Sequence, residues 1–394
     1  MVQLVICFRA ETLVALMKIP FNRPSQVGAE IDYIRDAIGR SKLSGDGHFT
    51  SACQSEISRL AGGGDCLLTH SCTAALEMSM LLADLSPGDE VILPSFTFVS
   101  TANAVVLRGA TPVFIDIRPD TLNLDETQLE AAISKRTRAI MAVHYAGVPA
   151  EMDALNSIAA HHRLIVVEDA AQAIGSRYRG RPAGSLGAMA AFSFHETKNV
   201  ISGEGGALVV NDRQFIERAE IIREKGTNRR QFLNGFVDKY TWVDIGSSYL
   251  PSELVAAYLF GQLEQFTAIQ DDRMKSWNAY AGAFTGLSEL GFGLPQCPTH
   301  CEHNGHIFYL IAPDAATRDT LIARMKADNI DTPFHYVPLH DAPLGRKLGR
   351  SIGSLPVTTD LSARLLRLPL YYGVGDETER IVERVWHHAR EVTK

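Results

Sequence analysis

Between residues 65 and 210, short apolar runs alternate with stretches of helical pattern, and this alternation limits the possible fold more than any other feature. Residues 91–94, 112–116, 139–143, 164–167, 188–194 and 206–210 read as strands. Between them, residues 100–107 and 152–162 carry apolar side chains at helical spacing. Strands joined through helices run parallel, so a doubly covered α/β sheet follows. Ligands of such sheets sit at the carboxyl ends of the strands, where Asp116, His144 and Asp169 all fall.

A chain of 394 residues exceeds one ordinary core, so two domains are expected. The large one spans 17–265, and a smaller α+β domain spans 266–394. A helix at 215–225 is followed by a polar loop to about residue 238. A helix from Ser252 to 272, running on into 273–290, links the domains. The small domain is expected to hold a strand at 306–311, a helix at 316–327, a segment at 334–338 and a terminal helix from Glu377. Residues 1–16 are apolar but interrupted by Arg9 and Glu11, lack a small-residue cleavage site, and read as an extension without function.

The formal charge of −7 argues against nucleic acid as a partner, and an anionic ligand would need a local positive or amide-lined site. No run approaches the ~20 apolar residues of a membrane span. The six cysteines form no CxxC pair, and Cys297 with Cys301 lacks a second pair to complete a metal site. Free thiols, no metal and a cytoplasmic location are the expectation.

The chemistry centres on two segments. Val166-Val167-Glu168-Asp169-Ala170-Ala171-Gln172 reads as a buried strand ending in acidic and amide groups. Phe192-Ser193-Phe194-His195-Glu196-Thr197-Lys198 is another apolar run ending at a lysine. An acid and an amine at neighbouring strand ends match the needs of pyridoxal phosphate: a Schiff-base lysine and a carboxylate that keeps the pyridine nitrogen protonated. The buried flanks of Lys198 would lower its pKa toward the neutral amine. Asp169 and Gln172 lie about one helical turn apart, facing one ligand.

Ser71-Cys72-Thr73 opens a helix after an apolar stretch and could hold a phosphate, or Ser71 or Thr73 could simply cap the helix. Phe96 and Phe98 follow a strand end; one aromatic there could stack on a planar ring, although core packing suits Phe96 better. His335, Tyr336 and His340 could line a sugar site or merely cover a loop.

Collinear segments then carry a resemblance from about residue 19 to beyond 370. They are Thr69-His70-Ser71-Cys72-Thr73-Ala74-Ala75-Leu76, Pro94-Ser95-Phe96-Thr97-Phe98-Val99, His144-Tyr145-Ala146-Gly147, the Asp169 segment and residues 192–199. Together they resemble the sugar aminotransferases of the DegT/DnrJ/EryC/StrS type. The resemblance implies a pyridoxal-phosphate-dependent transferase of fold type I, with a mostly parallel sheet in the large domain. It makes Lys198 the catalytic Schiff-base residue and Asp169 the pyridine partner. It places Gln172 near the ring hydroxyl and Phe98 on the ring, with Thr73, Ser193 and the Ser71–Thr73 amides on the phosphate. Many members have glycine where this chain has Cys72.

Three further segments resemble a subgroup that makes dTDP-4-amino-4,6-dideoxygalactose for enterobacterial common antigen: residues 44–47, 223–229 and 244–252. The subgroup implies a homodimer, an L-glutamate donor, and a dTDP-linked 4-keto-6-deoxyhexose acceptor, with 2-oxoglutarate as by-product. Arg229 joins His335, Tyr336 and His340 as a substrate-binding candidate. Other regiochemistry or stereochemistry on a related nucleotide sugar is the nearest alternative. A sugar dehydratase ranks lower, because such relatives carry histidine in place of the lysine.

Overall fold

A computed structural model describes residues 18–233 and 235–393. The proposed extension, residues 1–16, lies outside them. In chain order the strands are β1 (Asp65–Thr69), β2 (Glu90–Pro94), β3 (Thr111–Ile115), β4 (Thr137–Val143) and β5 (Ile165–Asp169). Then come β6 (Arg177–Tyr178), β7 (Arg181–Pro182), β8 (Met189–Ser193), β9 (Gly206–Val210), β10 (Cys301–Glu302), β11 (Phe308–Ile311), β12 (Arg350–Ser351) and β13 (Leu365–Leu368).

Eight of them form one sheet in the order β1-β9-β8-β5-β4-β2-β3-β12. Only β9 runs against the rest, pairing antiparallel with both β1 and β8. The parallel strands are buried along nearly their whole length, as expected of a sheet covered on both faces. Side chains alternate between the two faces. Leu67, Val167, Met189 and Ala191 pack beneath the helix Cys72–Leu82. Leu68, Val166, Ala190 and Phe192 face the helices Met152–His162, His48–Leu60 and Glu253–Glu264.

The strand and helix positions read from the sequence recur within a residue or two. The long connecting helix does not. Ser252 caps a helix, accepting from the Val255 amide, but the helix ends at Glu264. Gln265 leaves helical geometry, at φ −95° and ψ 12°, before a second helix runs Phe266–Ala283. The polar stretch after residue 226 also contains a short helix, Arg229–Leu233. Around the antiparallel pair β11–β13, the helices Ala315–Ala327 and Thr378–Val392 enclose a separate apolar cluster that also draws in Ile19. The segment 334–338 is irregular. It packs across the carboxyl end of the large sheet, and β12 returns there to extend the sheet beside β3. No helix among the described residues is long and apolar enough to cross a membrane.

Candidate active site

The carboxyl ends of β2, β4, β5 and β8 open on a cavity of about 540 Å³, where fold type and strand direction place a ligand. Ser71, Cys72, Thr73, Phe98, Asp169, Gln172, Ser193, Lys198, His335 and Tyr336 all line it. His340 and Arg229 are not among its lining residues. His340 turns its ring to the Ser95 hydroxyl at 2.6 Å, and the exposed Arg229 lies 3.6 Å from Glu224.

Asp169 ends β5, and Lys198 stands in the turn after β8, the neighbouring parallel strand. Phe194 and Val200 are buried on either side of that turn and anchor it. The turn closes by a bond from the Lys198 amide to the His195 carbonyl at 2.9 Å. Loss of solvation lowers the Lys198 pKa; the nearby Cys72 and Asp169 oppose this, and the Arg367 guanidinium adds to it.

Asp169 is 5% exposed. One oxygen accepts from the Thr101 hydroxyl at 2.8 Å, the other from the Ala171 amide at 3.2 Å. Thr101 in turn accepts from the Thr97 hydroxyl at 2.8 Å. Burial pushes the Asp169 pKa up, against these two bonds and the charge of Lys198. Among the described residues no cation forms an ion pair with it. A protonated ring nitrogen would supply the missing partner.

The helix Cys72–Leu82 begins at the cavity. Ser71 caps it, its hydroxyl accepting from the Ala74 amide at 3.1 Å, so the capping alternative holds for Ser71. The first-turn amides of Cys72 and Thr73 have no intrahelical acceptor. Thr73 and Ser100 hydroxyls meet at 2.8 Å on the same wall. β9 presses against this turn: a Cβ on Gly206 would lie 2.3 Å from the Ser71 carbonyl carbon and 2.4 Å from the Cys72 nitrogen. The Cys72 thiol is buried, and burial raises its pKa well above the ordinary value. The position accordingly tolerates a side chain, and the thiol packs inward as a small apolar group.

Opposite stands an aromatic wall. Phe96, 1% exposed, packs on Tyr145 with ring centroids 5.1 Å apart, so it belongs to the core. Phe98, 55% exposed, borders the cavity 6.2 Å from Tyr336. The Gln172 side chain accepts from the Ala146 amide at 2.7 Å and donates to the Tyr336 hydroxyl at 2.8 Å. Tyr145 and His335 are hydrogen-bonded at 2.8 Å. Burial holds His335 and His306 well below the usual histidine pKa, so both are neutral at pH 7.

Sequence reading passed over Thr101, His306 and Arg367. Thr101 lay within reach, three residues past Phe98 in the helical stretch 100–107. His306 reaches the site through Asn199 at 2.8 Å, a contact between distant segments that no local pattern announces.

A buried acid short of a cation, an amine with lowered pKa in the turn after the adjoining strand, and a helix start edged with hydroxyls define a pyridoxal-phosphate enzyme of fold type I. The chain belongs to the DegT/DnrJ/EryC1/StrS aminotransferase family, which it matches over residues 24–386. It is similar to the spore coat polysaccharide biosynthesis protein SpsC of Bacillus subtilis, at 32% identity over 93% of this chain and 96% of that protein. Among solved structures it is similar to S. venezuelae DesV, at 32% identity with a TM-score of 0.84, covering 91% of this chain and 94% of that one. DesI, solved with its TDP-sugar product, gives 31% identity and a TM-score of 0.83, covering 94% and 92%. The protein is thus a sugar aminotransferase dependent on pyridoxal phosphate.

Proposed function

We propose that the enzyme moves the amino group of L-glutamate to a dTDP-4-keto-6-deoxyhexose, yielding dTDP-4-amino-4,6-dideoxygalactose and 2-oxoglutarate. The observation that carries the transaminase chemistry is the placing of Asp169 and Lys198 at adjoining strand ends in one cavity. When bound, pyridoxal phosphate supplies an electron sink. Asp169 would hold the pyridine nitrogen protonated, and the Thr101 hydroxyl orients that carboxylate. Lys198 Nζ would hold the cofactor and, as a buried amine with a lowered pKa, would take up and return the proton moved at the amino-bearing carbon. Thr73, Ser193 and the amides of Cys72 and Thr73 would hold the phosphate, and Phe98 would cover the ring. Gln172 would sit near the ring hydroxyl; it fixes Tyr336, which with His335 would form the sugar side of the cavity.

The substrate assignment draws support from the subgroup segments and from the TDP-sugar bound by DesI. Their place in the fold is internal: buried Arg223 pairs with Asp46 at 2.7 Å, and Glu253 accepts from the Gly47 and Phe49 amides. These contacts lock residues 44–47 against 223 and 253. A homodimer fits the exposed apolar side chains at Phe232, Leu233, Phe236, Trp242 and Ile245, which a second subunit would cover. Free thiols at Cys53, Cys66, Cys72, Cys297 and Cys301 fit a cytoplasmic enzyme.

The test is transamination of dTDP-4-keto-6-deoxyglucose with L-glutamate and pyridoxal phosphate, the product's stereochemistry being read by NMR. An axial 4-amine is expected. An equatorial or 3-amino product, or turnover only with a UDP sugar, would overturn the substrate and leave the reaction class standing. Light scattering during size-exclusion chromatography should report twice the mass of one chain.

A further inference from the structure

We propose that the protein holds a small monovalent anion, of the size of chloride, beside the turn that carries Lys198, with Arg273 and Arg23 as its cationic partners. The site is separate from the large cavity and does not depend on which amino donor or sugar the enzyme uses.

Arg273 stands on the helix Phe266–Ala283 and is 2% exposed. A guanidinium brings five N–H donors and a fixed positive charge. One donor is used here: an Nη gives its hydrogen to the His306 carbonyl at 2.8 Å. The Nε is buried with no hydrogen-bond partner, and no carboxylate forms an ion pair with this side chain among the described residues. Asp272, its neighbour in sequence, accepts instead from the Gly373 amide at 2.7 Å. Loss of solvation lowers the Arg273 pKa to about 10, with only the charge of Asp272 opposing it.

Beside the guanidinium lies a void of about 20 Å³, bordered by Arg273, Arg23, Lys198, Ser25 and Tyr371 among others. That is room for about one particle of the size of water. Arg23 stacks over the Tyr371 ring at 5.0 Å and likewise has no ion pair among the described residues. Glu196 is the sole acid on the wall. Its carbonyl accepts from the Asn22 amide group at 2.9 Å, and its exposed carboxylate pairs with neither arginine. The void thus gathers two unpaired guanidinium groups and no counter-charge.

A water molecule would answer the unused N–H groups but not the charge, and a buried ion without a counter-ion is strongly disfavoured. A monovalent anion answers both. Phosphate and sulfate, each with four oxygens about a central atom, are too large for the space. Four segments distant in sequence meet at the void: residues 22–27, the Lys198 turn, helical residues 262–273 and residues 371–372. An ion held there ties them together. Through Arg273 it also fixes the His306 backbone, whose side chain borders the large cavity. Occupation of the site should therefore be felt as stability.

The experiment has two readings on the holoenzyme. Crystals are soaked in sodium bromide, whose anomalous scattering marks a halide and is blind to water. A bromide within hydrogen-bond distance of the Arg273 guanidinium is expected. In solution, the melting temperature is followed as sodium chloride replaces sodium gluconate at constant ionic strength. Wild type should rise by about 1–3 °C and level off. Arg273→Met, which keeps the bulk and removes the charge, should lose that rise. Arg23→Gln, on the exposed side, should move the midpoint of the rise to about 3- to 10-fold higher chloride, and it serves as the reading if Arg273→Met does not fold. Water alone at the position overturns the assignment. So does bromide in the crystal with no chloride-dependent rise in wild type, which would be an adventitious ion only. A rise that both variants keep in full would place the chloride effect elsewhere and overturn it too.

Discussion

Glu168 and Asp169 are consecutive, both buried, and face opposite sides of β5. Glu168 is saturated. One oxygen accepts from the Leu186 and Gly187 amides at 2.7 and 2.8 Å. The other accepts from Gly184 at 2.7 Å and meets His144 Nε2 at 2.9 Å. Because His144 Nδ1 accepts from the Ala150 amide, its Nε2 carries the proton and donates to Glu168. Asp169 has one hydroxyl, one amide and no ion pair among the described residues, and burial raises its pKa. A buried acid with every lone pair in use holds the fold together. One left short of partners is kept for a ligand.

Lys198→Ala probes the open side most severely. The transaminase rate should fall by about 10³- to 10⁴-fold, read as amino sugar formed per enzyme. After borohydride treatment and denaturation the cofactor should stay covalently attached to wild type and be released from the variant. Near-wild-type turnover would remove the active-site reading altogether. On the saturated side, Glu168→Ala strands three amides and a buried histidine and should destabilise the fold by about 3–5 kcal/mol in chemical denaturation. Asp169→Asn should behave in the opposite manner. Its kcat drops by about 10²- to 10³-fold, while the melting temperature of the cofactor-free protein holds or rises, since a costly buried charge is gone. If Asp169→Asn melts early and Glu168→Ala only slows catalysis, the contrast between the two acids is wrong.

Much of this site was legible because it rests on local patterns. Strand, acid and lysine are each marked by apolar runs that stop at a charged residue, and the α/β alternation places those stops on one sheet edge. Long-range closure left weaker marks. The helix break at Gln265 has no proline or glycine beside it to announce it. Arg367 reads as an ordinary strand arginine among leucines, and only the packing of β13 over the large sheet turns it into a cavity residue. His335 and Tyr336 reach the cavity through Tyr145 and Gln172, whereas His340, five and four residues on, is drawn aside by Ser95. Spacing alone does not separate such neighbours.

A third buried acid extends the contrast to the opposite edge of the sheet and to pH. Glu90 opens β2 at its amino end, fully buried, and accepts from Arg350 at 3.0 and 2.7 Å, from Arg136 at 2.6 Å and from Ser134 at 2.7 Å. Burial works to raise its pKa, but Arg350, Ser134 and Arg136 together prevail and hold it below the ordinary carboxylate value. The sign follows from linkage: with the folded pKa lowered, the stabilisation is present above the unfolded pKa and is lost as pH falls through the lowered folded value. Asp169, whose pKa is raised, contributes in the opposite sense, so the cofactor-free site gains stability on protonation. Because Arg350 lies on β12 and Arg136 precedes β4, the acid also fastens the edge of the sheet to the chain's later segment. Glu90→Gln should cost about 1–3 kcal/mol at pH 7, the smallest effect of the series because the arginines are partly solvated and can turn to water. The same variant should flatten the wild-type loss of stability as pH falls below the unfolded carboxylate pKa, read in urea titrations. A Glu90→Gln protein that keeps the full acid slope would mean that other carboxylates carry it, and that saturation at this end of the sheet is geometric rather than electrostatic.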